Sequence, residues 1–374
     1  MLSRSIVLQS LRSIRDRFFD TGPQRNEQND VGAETSHDVT GPSLDNLSVD
    51  MQFHIMTFLS PQDLCRLGGT STYWRSMVRD PVLWKYFLLR DMPLWKSVDN
   101  VSMPEIKLSG TSMLGDPEMN HFDYMAEYLR VCPACRNQWR QQPRATFESV
   151  TSFFHFLVPG TAEPQFVMFG PGLEQLEVSL MTRIMNSPHV LPIAGMPQHQ
   201  IEGIGSGISF KFKDQHSFNI ITVYSTYRTE RERARLEHLN LRSKVFLYQD
   251  DSDSNTPLSL NPMFNKAFQA VNGFIFVANA EMERGSDQSW EEESAQIRVM
   301  LDPAVGSVSR PILVLSCISR ETADTHRIPC VTVADHLQLS SLSNPWMVQD
   351  TAAESLTGLL DGIDWLMRNS GVRL

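Results

Sequence analysis

Cysteine is scarce in this chain. Its five residues, Cys65, Cys132, Cys135, Cys317 and Cys330, are odd in number and sit mostly inside apolar stretches. That usage excludes a disulfide framework and fits reduced, buried thiols in a cytoplasmic and nuclear protein. Basic residues are also short, 33 Lys and Arg against 43 Asp and Glu, for a formal charge of −10. Nucleic-acid binding draws on counterions displaced by clustered Lys and Arg, so a phosphate backbone is excluded as the main ligand and proteins are the expected partners. Long hydrophobic runs are missing too. GFIFVANA and PILVLSCI reach only about eight residues, against the ~20 a bilayer span needs, which excludes a membrane-spanning helix. No internal repeat is found.

What is present is a globular balance, 41% hydrophobic and 20% charged, with 20 Gly and 21 Pro in 374 residues. That length is about two and a half times a ~150-residue domain, so two folded units with linker are expected. Residues 1–43 form an amphipathic start and a linker. Leu8, Leu11, Ile14 and Phe18 share one helical face, with Arg4, Arg12, Arg15 and Arg17 elsewhere. Three readings stay open: a transit-peptide-like leader, a short helix packing on the domain or on a second copy of the chain, and a frayed end. Residues 20–42 are polar and aperiodic, as a disordered linker is.

Helix signals crowd residues 44–95. VDMQFHIMTFL repeats apolar residues at three and four spacings, Ser60 and Pro61 restart a helix, and STYWRSMVRD and PVLWKYFLLRD each form another. So small a bundle cannot hide Leu47, Ile55, Leu59, Leu64, Leu67, Trp74, Leu83 and Trp84 together, which predicts a docked partner. This segment resembles an F-box: the opening leucine, Ile55 and Leu59, the Asp63-Leu64 pair, Trp74, and Asp80, Leu83 and Trp84 follow in order. The resemblance implies an all-helical adaptor that docks the Skp protein of a cullin-RING ubiquitin ligase through Leu47, Ile55, Leu59, Pro61, Leu64, Leu67 and Trp84. One departure is Leu47-Ser48, where the family usually has Leu-Pro; it loosens the lead into the first helix.

Residues 96–150 read as a helical connector with a helix over Phe122–Val131 stopped by Pro133. Residues 151–374 change pattern. PQFVMFG, SFNIITVYS, GFIFVAN and RPILVLSCI are short, β-branched and nearly continuously apolar, as strands covered on both faces are. Helix candidates lie between them: 173–186, 229–244, 262–271, 289–301 and 352–368. Strand and helix in alternation predict a doubly wound, mostly parallel sheet, an α/β fold behind an all-α module. This half is similar to small GTPases, nearest to the ADP-ribosylation-factor branch at NPWMVQDTAAESLTGLLDGIDWLM.

The chemistry of that resemblance can be counted. A phosphate loop needs G-x-x-x-x-G-K-[ST], glycines to turn amides inward, Lys for the outer phosphates and a hydroxyl for magnesium. Counted from Gly170, the last three positions hold Gln175, Leu176 and Glu177. The phosphate-sensing Asp-x-x-Gly is replaced by Ser225-Thr226-Tyr227-Arg228, and the base-reading Asn-Lys-x-Asp by Ser316-Cys317-Ile318-Ser319. At ~1.5–3 kcal/mol for each lost charge-assisted contact, affinity falls by several orders of magnitude. No catalytic residue, cofactor or metal is expected, and the chain reads as a receptor rather than an enzyme.

Weaker motifs have blander readings. Cys132-Pro133-Ala134-Cys135 has zinc-knuckle spacing without a second ligand pair, His121 and His155 being unsupported. GIGSGISF is a hairpin or loop turn, QDDSDSNTP a surface loop, and TERERARLEHLNLRSK a solvated helix with opposite charges. An F-box ahead of a degenerate GTPase-like domain is similar to one branch of F-box proteins. That likeness implies a substrate receptor acting in ubiquitylation, telomere maintenance and the cell cycle, with a telomeric-repeat-binding factor and cyclin D as substrates. A divergent GTP-binding switch and a Skp-binding scaffold without targets are the alternatives, and self-association through residues 1–20 or the connector is expected. IPCVTVADHL alternates Ile328, Cys330, Thr332 and Ala334 against Val331 and Val333 behind Pro329, which suggests an edge strand that takes substrate by strand addition or, equally, an ordinary buried strand or loop.

Overall fold

The computed structural model describes residues 44–105, 122–140, 163–195, 207–213, 216–223, 245–247, 258–269, 271–281, 288–305, 309–322 and 326–371. The amphipathic start, the helix expected over 229–244, QDDSDSNTP and Ser225–Arg228 lie outside them. Two compact units emerge, one within Met1–Asp91 and Pro104–Cys132, the other within Met92–Met103 and Pro133–Leu374.

The first unit is helical. After a 3-10 turn at Leu44–Asn46 come α1 (Val49–Met56), α2 (Pro61–Gly68), α3 (Thr72–Val78), α4 (Pro81–Asp91) and α5 (Tyr124–Val131). Caps set the boundaries. Ser60 accepts from the Asp63 amide at 3.2 Å ahead of Pro61, Ser71 accepts from Trp74 at 3.1 Å, and Asp123 from Ala126 at 2.9 Å. Trp84, fully buried, donates its indole N–H to the Val78 carbonyl at 2.6 Å and meets the Tyr128 ring at 5.4 Å. Tyr128 in turn donates to Asp91 at 2.6 Å.

The second unit is an eight-stranded sheet with helices on it. Its elements are β1 (Ser97–Asp99), α6 (Pro133–Arg140), β2 (Gln165–Phe169), α7 (Gly172–Gln175), α8 (Leu180–Met185), β3 (Ile193–Gly195), β4 (Ile208–Phe212) and β5 (His216–Thr222). After the small β6 (Phe246–Leu247) and β7 (Ser259–Leu260) pair follow α9 (Pro262–Gln269), β8 (Gly273–Asn279), α10 (Gln288–Met300), β9 (Ile312–Ile318), α11 (Cys330–His336), β10 (Trp346–Ala352) and α12 (Leu359–Asn369). The order is β1-β10-β9-β8-β2-β5-β4-β3, parallel from β10 to β5 and antiparallel at both ends. Every residue of β9 is buried, as two covered faces require. The expected α/β architecture is therefore found, a mostly parallel sheet behind an all-α module.

Several expectations change. The connector 96–150 is not one piece: β1 adds to the sheet beside β10, while α5 closes the helical core with Tyr124, Tyr128 and Val131. Pro133 stops one helix and opens the next, because the first helical turn needs no amide there. The helix over 173–186 breaks into α7 and α8, Leu176 being extended and Ser179 capping anew. Residues 353–358 stay outside α12, which starts at Leu359 after Gly358 at φ +80°. Of GIGSGISF, Ile208 to Phe210 join β4.

The largest correction concerns 328–337, which is a helix rather than an edge strand. Cys330, Val331, Val333, Ala334 and Leu337 are buried while Asp335 and His336 face outward, an offset of one, three, four and seven that belongs to period 3.6. Pro329, expected to blunt a strand edge, instead caps α11, its carbonyl accepting from Val333 at 3.0 Å. Cys330 lies against the Trp95 carbonyl at 3.1 Å. Ile328 and Thr332 are only half-buried, but with the other four in or beside the helix, none of the six offers a free ladder edge. Arginine at Cys330 or Ala334 would break the core rather than test an interface.

Candidate functional site

Two places invite function: the outer side of α1 and the crest at the C-terminal ends of the sheet strands. On α1, Gln52, Phe53 and Met56 turn into the core. Met51 and Ile55, one turn apart, lie on the other side at 100° per residue. Leu47, Met51, Phe58 and Tyr73 are 41, 49, 76 and 43% exposed, and the Phe58 ring meets only His54 edge-on at 5.0 Å among the ring contacts found. A helix apolar on both sides has a second layer to cover.

The residues predicted to grip a partner separate into two sets. Leu47, Ile55, Leu59, Pro61 and Leu67 are exposed or half-buried on the helical unit and remain open to contact. Leu64 and Trp84 are 0% exposed and serve the core, so they shape the surface without touching what docks on it. Met51, Phe58 and Tyr73 were missed. The i, i+4 spacing of Leu47, Met51 and Ile55 is a signal that points to Met51, but only burial separates the two faces of α1. Next to this surface the Ser60 hydroxyl, and then Arg66 at 2.8 Å, hold the Asp63 carboxyl below the usual range.

The crest of the sheet shows why no phosphate loop forms. Gly170 has φ +120°, and a Cβ there would stand 2.6 Å from the Val277 carbonyl oxygen; one on Gly172 would stand 2.7 Å from Val277 Cγ1. Both glycines thus let the turn settle on β8, the neighbouring strand, where a phosphate loop would leave room for ligand. Leu176, in the place of the lysine, is 0% exposed. Glu177, in place of the hydroxyl, donates its amide to Ser319 Oγ at 3.0 Å and pairs with Arg320 at 3.2 Å. Ser319 donates its amide to Glu281 at 2.8 Å, and Asn279 donates to Gln175 at 3.2 Å. Ser316, Cys317 and Ile318 are strand core rather than base readers.

Beside them Arg327 donates to the carbonyls of Ser316 and Thr351 at 2.8 and 2.9 Å and stands 3.3 Å from Asp350. Only two of its five N–H groups go to those carbonyls, and at 3.3 Å it pairs with the Asp350 carboxylate as an ion pair. Burial pushes the Asp350 carboxyl up to about 6, the attraction of Arg327 only partly opposing it. Among the described residues no cluster of three His, Cys, Asp or Glu could hold a metal, and Cys132 and Cys135 are not joined in a disulfide. His121 and His155 lie outside the described residues. No described helix is long and apolar enough to cross a membrane.

Comparison with known proteins shows the family of the chain. A family model described as F-box-like matches residues 49–90, the stretch from α1 to α4. F-box only protein 4 of Bos taurus is 48% identical over 332 residues, 88% of this chain and 84% of that one, and the Homo sapiens protein is 46% identical over the same shares. The chain belongs to the F-box only protein 4 family. F-box proteins are substrate-recognition subunits of SCF-type ubiquitin ligases, generally non-catalytic, and dock the Skp adaptor; this F-box chain takes that role by membership. An F-box/LRR-repeat protein 5 of Bos taurus shares 32% identity over 85 residues only, 23% of this F-box chain. The Arl6 BBS3 small GTPase from Trypanosoma brucei, solved with the nucleotide analogue GppNp, overlaps 56% of this chain and 98% of that one at 15% identity and a TM-score of 0.34.

Proposed function

We propose that this chain clamps the Skp adaptor of an SCF ligase with Leu47, Met51, Ile55 and Phe58, rimmed by Leu59, Pro61 and Leu67, and presents protein substrates on its sheet unit. The observation that carries the reading is Phe58: an aromatic side chain 76% exposed at the end of a helix whose opposite face is already in the core. Aromatic anchors of this kind dominate interface energies. The family resemblance supports a telomeric-repeat-binding factor and cyclin D as first substrates to try, and with them roles in telomere maintenance and the cell cycle. The few cysteines, none of them in a disulfide, and the acidic balance support a cytoplasmic and nuclear location.

Such a receptor needs no acid, base or nucleophile. Holding a target lysine beside a charged ubiquitin carrier makes transfer effectively unimolecular, and proximity supplies the rate. The closed crest supports this reading over a GTP-binding switch. A scaffold that binds the adaptor without targets is separated from it by reconstituting the ligase with candidate substrates. Self-association rests on the pattern of residues 1–19 and is tested by light scattering before and after their removal. For the docking face, Phe58→Asp is expected to weaken Skp binding at least ~100-fold in titration calorimetry with the melting point unchanged. Unchanged affinity would remove the face from the interface.

A further inference from the structure

We propose that Gln52 is a positioning residue for adaptor docking: its buried carboxamide, braced by Tyr73, fixes the lead-in turn that sets Leu47 beside Met51. This rests on the docking reading above. The lead-in lacks its ordinary restraints. Ser48 occupies the N-cap of α1 at φ −61° and ψ 150°, and its hydroxyl makes no capping bond. A proline would hold that φ by its ring; serine holds it only if something else does. Gln52, 1% exposed and one turn into α1, supplies the restraint. Its Nε2 donates to the Leu44 and Leu47 carbonyls, both at 3.1 Å, and leans toward Asp45 O at 3.5 Å.

An amide nitrogen has two hydrogens, so the two short bonds use its whole donor capacity and tie both ends of the turn to one atom. The carboxamide oxygen is then held from α3, where the Tyr73 hydroxyl donates to it. Three segments, the turn, α1 and α3, converge on a single buried side chain. Buried polar networks of this kind, fully satisfied, select one conformation. Leu47, 41% exposed and bonded through its own carbonyl, is the docking residue whose place this network decides.

The test uses the full chain and purified Skp adaptor. Gln52→Met, of similar volume but without hydrogen bonds, is expected to weaken binding about tenfold, and Tyr73→Phe about threefold. In both, without adaptor, the amides of Leu47 to Gln52 exchange hydrogen faster while those of α4 do not, a pattern that general destabilisation would not give. Phe58→Asp runs beside them. If Phe58→Asp loses the adaptor while Gln52→Met and Tyr73→Phe bind within twofold of the parent, Gln52 has no positioning role and this inference fails alone. If Phe58→Asp binds normally, the docking reading fails and takes this one with it. Should Gln52→Met unfold the unit, Tyr73→Phe decides: parental exchange and affinity there overturn the proposal.

Discussion

Phe58 in the helical unit and Leu176 in the sheet unit are both apolar, yet one is 76% exposed and the other fully buried. Among the described residues of the helical unit, Met51, Phe58 and Tyr73 stay exposed while Gln52, Phe53 and Met56 face the core, which leaves an apolar face that the proposed adaptor would cover. The sheet unit has layers on both faces, so the position at which a phosphate loop would offer a lysine is filled from within. One region leaves apolar side chains exposed among its described residues. The other has no phosphate pocket at its first strand turn, because that place is filled by core.

The strongest way to break that contrast is inside the helical unit. Trp84→Ala should cost ~3–5 kcal/mol, read as a lower denaturant midpoint, with adaptor binding lost as the unit unfolds. A variant that folds at the parental midpoint and loses binding alone would make Trp84 a contact, erasing the line between core and face. Next in size, Leu176→Lys restores the missing lysine but puts an ammonium where no solvent reaches, at a cost on the order of 3 kcal/mol. It should bind neither GTP nor GDP with magnesium by calorimetry. Binding would mean that the crest opens and that one side chain separates receptor from switch.

The smallest effect is pH-dependent. Burial holds the Asp350 carboxyl near 6 against an ordinary 3.8, so between these values the unfolded chain has released a proton that the folded one keeps. Stability of the sheet unit should therefore fall as pH rises from about 4 to 6, by ~2 kcal/mol. Asp350→Asn removes that slope, and thermal midpoints across the window check it. Parallel curves for parent and variant would show that Arg327 fully compensates the buried carboxylate.

Much of the fold was legible. Continuous apolar runs announced β2, β5, β8 and β9 because strands covered on both faces have no polar side to show. The caps at Ser60 and Ser71 act over three residues and so are written locally. The 328–337 segment misled because its β-branched valines and a proline outweighed a helical spacing that was also present. The proposed adaptor face was legible only in part: the sequence points to Leu47 and Ile55 but not to Met51 and Phe58, and Leu64 and Trp84, expected on the surface, lie beneath it.

By itself the sequence determined which groups of a phosphate loop are missing. Leucine and glutamate at 176 and 177 carry no counter-charge for phosphate in any fold, and the F-box order of residues 47–84 needs no coordinates to be read. Only the tertiary structure decided which apolar residues are spare. That choice depends on distant partners, as when α5 returns from residues 124–131 to bury Trp84 while, among the described residues, Phe58 stays exposed. Covering a side chain is a property of what packs on it, and periodicity records only that a face exists.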